Sequence, residues 1–269
     1  MFGHAQIPTM VLGLLTAISL AGCASTGLSG VHRSLSTTPW GYQVVGAPHP
    51  IYLGSKSQRF EVRPGDCSSN PGWNDCKTDR ERSEVTADSA RFGPGSSTWI
   101  SFMIFLPKDF VTSQTVNADL GQIHMRGGFS GSAGGFKSFP PLLQLNAIGD
   151  LYTACFHVLI GDENNISDRC EDRLISNLSD MKGKWSRVTL HLDAQTKNPK
   201  VKIFFNGKQV ANFEQMLPRD PQEYFLKYGI YRSFVSRHGG PMPTQVVYYD
   251  EVKVGATREV VEDEKVVID

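Results

Sequence analysis

The sequence predicts an all-β fold, a jelly roll built as a sandwich of two antiparallel sheets. Three observations lead there: short runs of strand character recur between residues 58 and 254, clusters of Gly, Pro and Asn separate them, and helical periodicity is scarce. A length of 269 residues with 40% hydrophobic and 20% charged residues suits one large all-β domain or two ordinary ones, and no internal repeat divides the chain.

The elements follow in order. In residues 58–63, Phe60 and Val62 alternate with Arg59, Glu61 and Arg63; in residues 80–86, Arg80, Arg82 and Glu84 share a face. Residues 98–106 are apolar on nearly both faces, which predicts a central strand. In residues 121–126, Ile123 and Met125 face one way while Gln122, His124 and Arg126 face the other. Runs 142–146 and 151–159 follow, and in 186–193 Val188, Leu190 and Leu192 form a core side opposite Thr189, His191 and Asp193. Runs 200–206 and 208–213 form a hairpin around Asn206-Gly207, a dipeptide suited to the positive φ angles of a tight turn. The last runs are 225–232 and 245–254, and the best helix candidate, residues 171–180, is short.

Residues 1–22 read as an export signal. An apolar run over residues 10–20 leads into Leu20-Ala21-Gly22-Cys23, the pattern of a bacterial lipoprotein signal in which Cys23 is acylated and becomes the new N-terminus. The run is shorter than the roughly 20 residues of a membrane span. The first nine residues contain no Lys or Arg, a departure that leaves a secretory signal cleaved near Ala24 as the competing reading. Residues 23–39, rich in Ser, Thr and Gly, are expected to form a tether, with the domain spanning 40–256 and a charged tail at 257–269 that ends as a last strand or a frayed end. The expected location is the bacterial cell envelope, lipid-anchored, with the outer membrane favoured because Ala24 rather than Asp follows Cys23.

With Cys23 set aside, four of the five cysteines remain, an even number for an oxidising compartment. Cys67 with Cys76 and Cys155 with Cys170 are the parsimonious pairs among three pairings; the second would tie a strand to the loop 161–169. Neither pair has CxxC spacing, so a metal site is not favoured. Nothing calls for a cofactor, and a structural calcium ion, though compatible, is not indicated. Equal numbers of basic and acidic residues, 27 each, argue against a nucleic-acid partner while allowing a local basic groove. The expected state is a monomer.

Candidate chemistry gathers on the wet faces of four strands. In Phe225-Leu226-Lys227-Tyr228-Gly229-Ile230-Tyr231, Lys227 and Tyr231 share a face, with Leu226, Tyr228 and Ile230 opposite. Gly229 between them is expected to leave room for a bulky ligand, and Lys227 to lower the pKa of the Tyr231 phenol. Gln122, His124 and Arg126 suit a ligand groove, with the Gly-rich stretch 127–135 as a mobile loop beside it. The sets Arg80, Arg82, Glu84 and Arg59, Glu61, Arg63 could bind an anionic polymer, Glu84 orienting a guanidinium. The plainer readings are surface ion-pair ladders and a half-exposed strand carrying a Lys and a Tyr.

Arg59-Phe60-Glu61-Val62-Arg63-Pro64-Gly65-Asp66, Arg82-Ser83-Glu84, the run from Trp99 to Pro107, Gln122-Ile123-His124, Pro140-Pro141, Gly183-Lys184-Trp185, the strand from Phe225 to Arg232 and Tyr248-Tyr249-Asp250 together resemble the heparin lyase I-like polysaccharide lyases. The resemblance runs from about Arg59 to Gly255 and is weaker to glucuronan and alginate lyases. It implies a jelly roll whose concave face binds an acidic polysaccharide and cleaves it by β-elimination. His124 and Tyr231 would transfer protons, and Gln122, Arg82, Lys227 and, beside them, Arg126 would engage the uronate. The loop 68–79 departs from the family pattern.

Two alternatives compete. A lipid-anchored lectin of the same fold would need only aromatic platforms and hydrogen bonds. A jelly-roll glucanase would need paired carboxylates, and no Glu here has an Asp two residues later. Serine hydrolase and dinucleotide signatures are also absent from the sequence.

Overall fold

The computed structural model describes residues 26–127, 132–133, 136–137, 140–161, 166–217, 221–265 and 267. The export signal, Cys23 and most of the Gly-rich stretch 127–135 lie outside them.

Two antiparallel sheets face each other across an apolar core. The first runs Lys208–Glu214, Lys200–Phe205, Trp185–Asp193, Ser97–Phe105, Gln245–Gly255, Ser57–Val62, Tyr42–Val45; the second runs Ile166–Asn177, Leu151–Gly161, Leu143–Ile148, Ala118–Arg126, Glu223–Ser233, Arg80–Phe92, Val31–Ser34. This is the jelly-roll sandwich that the strand series predicts. Ser97–Phe105 is central, as its two apolar faces require, and Asn206 and Gly207 take the positive φ angles of the hairpin, 47° and 82°. Phe60, Phe102, Ile123, Leu145, Leu190, Leu226 and Ile230 fill the space between the sheets.

Three expectations are corrected. Residues 26–34 do not act as a tether: Thr26–Gly27 pairs with Gln245–Gly255, and Val31–Ser34 pairs with Arg80–Phe92. Backbone bonding to a sheet edge does not need the apolar periodicity that this stretch lacks. Residues 171–180 are not a helix. Most of them belong to the edge strand Ile166–Asn177, whose charged side chains protect an exposed edge, and only Leu178–Met181 is helical. Cys170 therefore lies in a strand rather than a loop. Near the C-terminus, Arg258–Glu262 forms a short helix whose Thr257 side chain accepts from the Val260 N–H and whose Val261 is buried.

Both parsimonious disulfides form, Cys67–Cys76 and Cys155–Cys170, with Cα separations of 5.1 and 5.3 Å. The second joins the edge strand Ile166–Asn177 to its neighbour Leu151–Gly161. Among the described residues no helix is long and apolar enough to cross a membrane.

Candidate active site

The site lies on the second sheet, on the face turned away from the core, where Ala118–Arg126, Glu223–Ser233 and Arg80–Phe92 run side by side. Register brings the polar residues together: Lys227 opposes Gln122 on one side and Thr86 on the other, and Tyr231 opposes Arg82. Because strand side chains alternate, Leu226, Tyr228 and Ile230 then enter the core, each at most 1% exposed.

Glu84 is the hub. Its carboxylate accepts from Lys227 Nζ at 2.7 Å, Gln122 Nε2 at 2.6 Å and Arg82 Nη1 at 3.3 Å. Burial alone would raise the Glu84 pKa, but Lys227 and Arg82 outweigh it and hold the carboxyl below its ordinary value. Arg82 is gripped from the other side by Asp75, Nε to Oδ2 at 2.6 Å and Nη2 to Oδ1 at 2.5 Å, and its guanidinium lies 4.3 Å from the centre of the Tyr231 ring.

Tyr231 departs from expectation. Lys227 Nζ is 5.8 Å from the ring centroid and is spent on Glu84, and the cation at the hydroxyl is Arg80, whose Nε donates to it at 2.8 Å. Burial raises the phenol pKa and prevails over Arg82 and Arg80, which lower it. The phenol is therefore neutral at neutral pH.

His124 stacks on Phe225, with ring centroids 5.2 Å apart, and its Nδ1 lies 2.8 Å from the Met125 carbonyl. A carbonyl only accepts, so Nδ1 carries the proton and Nε2 keeps its lone pair. Burial pushes the imidazole pKa down to about 3, with the Lys227 charge adding to the effect.

Gly229 does not open a gap for ligand. It has φ 130°, and a Cβ there would lie 2.3 Å from the Ser83 carbonyl and 2.7 Å from Phe60. Its missing side chain lets two strands and a core ring pack closely at a register shift between Tyr228 and Tyr231. The core residue Tyr249 brings its hydroxyl to the carbonyls of Leu120 and Gly229 at this irregularity.

Other candidates are placed differently from expectation. Arg82 is within the cluster, but buried between two carboxylates that already engage it. Arg126, at the end of its strand, stays on the same face beside His124, 3.6 Å from Glu223 and against the Phe225 ring on which His124 stacks. Arg59 and Arg63 bind Glu61 on the first sheet, so that set is an ion-pair ladder away from the site.

Arg80, read from the sequence as a polymer-binding cation, is found at the Tyr231 hydroxyl instead. Two contributors were missed as site residues. Asp75, in the disulfide loop, carries no periodic signal. Asp119 was hidden by the register shift between Gln144 and Asn146; it accepts from Gly121 N at 2.9 Å and Gln144 Nε2 at 2.8 Å. Burial and the Glu84 charge raise its pKa well above the carboxylate range. The one close group of metal-ligating residue types among the described residues is Cys155, Cys170 and Asp172, and its sulfurs form the disulfide.

Residues 25–253 match the family model described as polysaccharide lyase. The chain belongs to this polysaccharide lyase family. The lyase has a fold similar to that of an endo-β-1,4-glucuronan lyase from the fungus Trichoderma reesei, at 18% identity and a TM-score of 0.61, covering 90% of this chain and 94% of that one. It is also similar to alginate lyase A1-II′, at 11% identity and a TM-score of 0.52 over 82% and 85% of the two chains. Alginate lyase AlyC3 is similar at 14% identity and a TM-score of 0.50 over 74% of each chain. Among curated proteins, no sequence matches.

Proposed function

We propose that this polysaccharide lyase cleaves a uronate-containing acidic polysaccharide by β-elimination, with His124 as the base and Tyr231 as the acid. The observation that carries this reading is the geometry of one sheet face: His124, whose Nδ1 lies 2.8 Å from the Met125 carbonyl and so leaves Nε2 to accept a proton, and Tyr231, whose hydroxyl accepts from Arg80 Nε at 2.8 Å, project from neighbouring strands. Elimination removes the C5 proton of the uronate, forms the C4–C5 double bond and expels the 4-oxygen. Nε2 of His124 takes the proton, and the Tyr231 hydroxyl, positioned by Arg80, gives one to the leaving oxygen. The carboxylate gains charge as the C5 proton leaves, and preorganised donors there contribute on the order of 3 kcal/mol each.

Gln122 donates to the buried Glu84 carboxylate, and Arg82 donates to Asp75 and Glu84. Arg80, half-buried at the Tyr231 hydroxyl, takes over part of the role expected of Arg82. A uronate carboxylate beside His124 brings negative charge that favours proton uptake by the imidazole.

The similar glucuronan lyase makes polyglucuronate the first polymer to test. Purified protein is incubated with glucuronan, alginate, heparin and a neutral glucan while ultraviolet absorbance of the unsaturated product is followed. Absorbance should rise with at least one uronate polymer and not with the glucan; silence with every uronate polymer would sink the reading. A lipid at Cys23, holding the enzyme in the cell envelope, is part of the same proposal, and the mass of the mature N-terminal peptide checks it.

The pH dependence follows from the His124 environment. An imidazole whose pKa is near 3 stays deprotonated above that value, so acidification should not switch off the free enzyme near the ordinary histidine value of 6.5. The profile of kcat/KM between about pH 5 and pH 8 should lack a histidine inflection. An inflection near 6.5, matched by an NMR titration of the His124 ring at the same pH, would contradict this picture of the imidazole.

A further inference from the structure

The loop between Ser57–Val62 and Arg80–Phe92 is closed by Cys67–Cys76 and carries a small ribbon, Ser69–Asn70 paired with Trp73–Asn74. Its product is the placement of Asp75, which has no exposed surface. The Asp75 N–H donates to the Ser68 carbonyl at 2.9 Å, its carbonyl accepts from Arg80 N at 3.0 Å, and Trp73 Nε1 donates to its Oδ1 at 2.9 Å. Both carboxylate oxygens then hold Arg82.

We propose that Asp75, fixed by the Cys67–Cys76 loop, is a positioning residue of the lyase: its two-oxygen grip sets the plane of the Arg82 guanidinium, which in turn fixes the Tyr231 ring and the place of its hydroxyl. Three features carry the inference. The guanidinium fork matches a carboxylate in one plane, so a bidentate partner fixes orientation as well as charge. The guanidinium carbon lies over the Tyr231 ring, 4.3 Å from its centroid, while Glu84 holds the remaining nitrogen. A buried ion pair adds little net stability compared with an apolar replacement, so stability is a weak reason to place Asp75 there. The same loop also flanks Arg80, whose guanidinium lies 5.4 Å from the Trp73 ring centroid. The loop thus orders both arginines that touch Tyr231.

The inference rests on the proton-transfer role of Tyr231, and the test separates the two. Asp75→Asn keeps the shape but replaces one acceptor by a donor facing the guanidinium. Its turnover should fall about ten- to a hundredfold, the scale of a reacting group misplaced by an ångström, with KM changed less than about threefold. Independently of activity, the NMR signal of ring-labelled Tyr231, assigned with Tyr231→Phe, should shift in Asp75→Asn and stay in place in the exposed-loop control Lys77→Ala. If Asp75→Asn fails to fold, the double variant Cys67→Ser with Cys76→Ser keeps Asp75 and loosens the loop, and should show both effects in smaller degree. An unmoved Tyr231 signal overturns the positioning role whatever the activity. An active enzyme whose Tyr231→Phe variant is inactive while Asp75→Asn turns over at the wild-type rate overturns it equally. Full activity in Tyr231→Phe overturns the parent reading instead.

Discussion

Replacing Tyr231 with Phe is expected to lower turnover by about two to four orders of magnitude while leaving the fold intact. The substitution removes one oxygen. The ring keeps its place over Arg82, and the lost hydrogen bond is the one donated by Arg80 Nε, a half-buried group that water can reach. The stability cost should therefore be about 1 kcal/mol or less. Denaturant unfolding and steady-state kinetics on the same preparation check both halves. A variant that unfolds earlier by several kcal/mol would show a structural role, and one that cleaves at the wild-type rate would remove Tyr231 from the chemistry.

Glu84→Ala should produce the largest loss of stability at the site, about 3–5 kcal/mol, because it leaves two buried cations, Arg82 and Lys227, without their shared carboxylate. The pH sign follows from the lowered pKa of Glu84. Its contribution is complete above the ordinary carboxyl value of 4.5 and is lost as pH falls through the lower folded-state value. Asp119 acts in the opposite direction: its pKa is raised, so its influence on stability becomes less favourable as pH rises from 3.8 through the raised value. Urea unfolding at neutral pH should show the full gap between wild type and Glu84→Ala, and the gap should narrow in acid. Equal stability of the two proteins at neutral pH would mean that the cations find other partners.

Much of the fold was legible because alternation is a direct record of which face is buried. The pattern in 225–232 placed Leu226, Tyr228 and Ile230 in the core, and the double-sided run 98–106 marked a central strand. Edge strands were the failure. Ile166–Asn177 and Val31–Ser34 are held by backbone pairing and carry mostly charged or polar side chains; of the described ones only Val31 and Ile175 turn to the core, and Leu174 is exposed, so little apolar alternation is left to read. At the site, residue parity assigned Gln122, Lys227, Arg82 and Tyr231 to one sheet face. It could not reveal that Arg82 and Gln122 are already engaged, because Asp75 arrives from a loop and charge pairing across strands depends on register. Nor could it set the Tyr231 pKa, where burial competes with the neighbouring arginines and prevails. Gly229 shows the same limit: a missing side chain marks a close approach, but not whether ligand or protein fills the space.

The central claim is that the polymer is cut by elimination from a uronate, without water entering the broken bond. Mass spectrometry of the fragments tests it most directly, through the new non-reducing ends. Elimination gives ends that are unsaturated uronates, each lighter by one water than a saturated end, with no water added per bond broken; saturated non-reducing ends, with one water added for each bond broken, would contradict elimination.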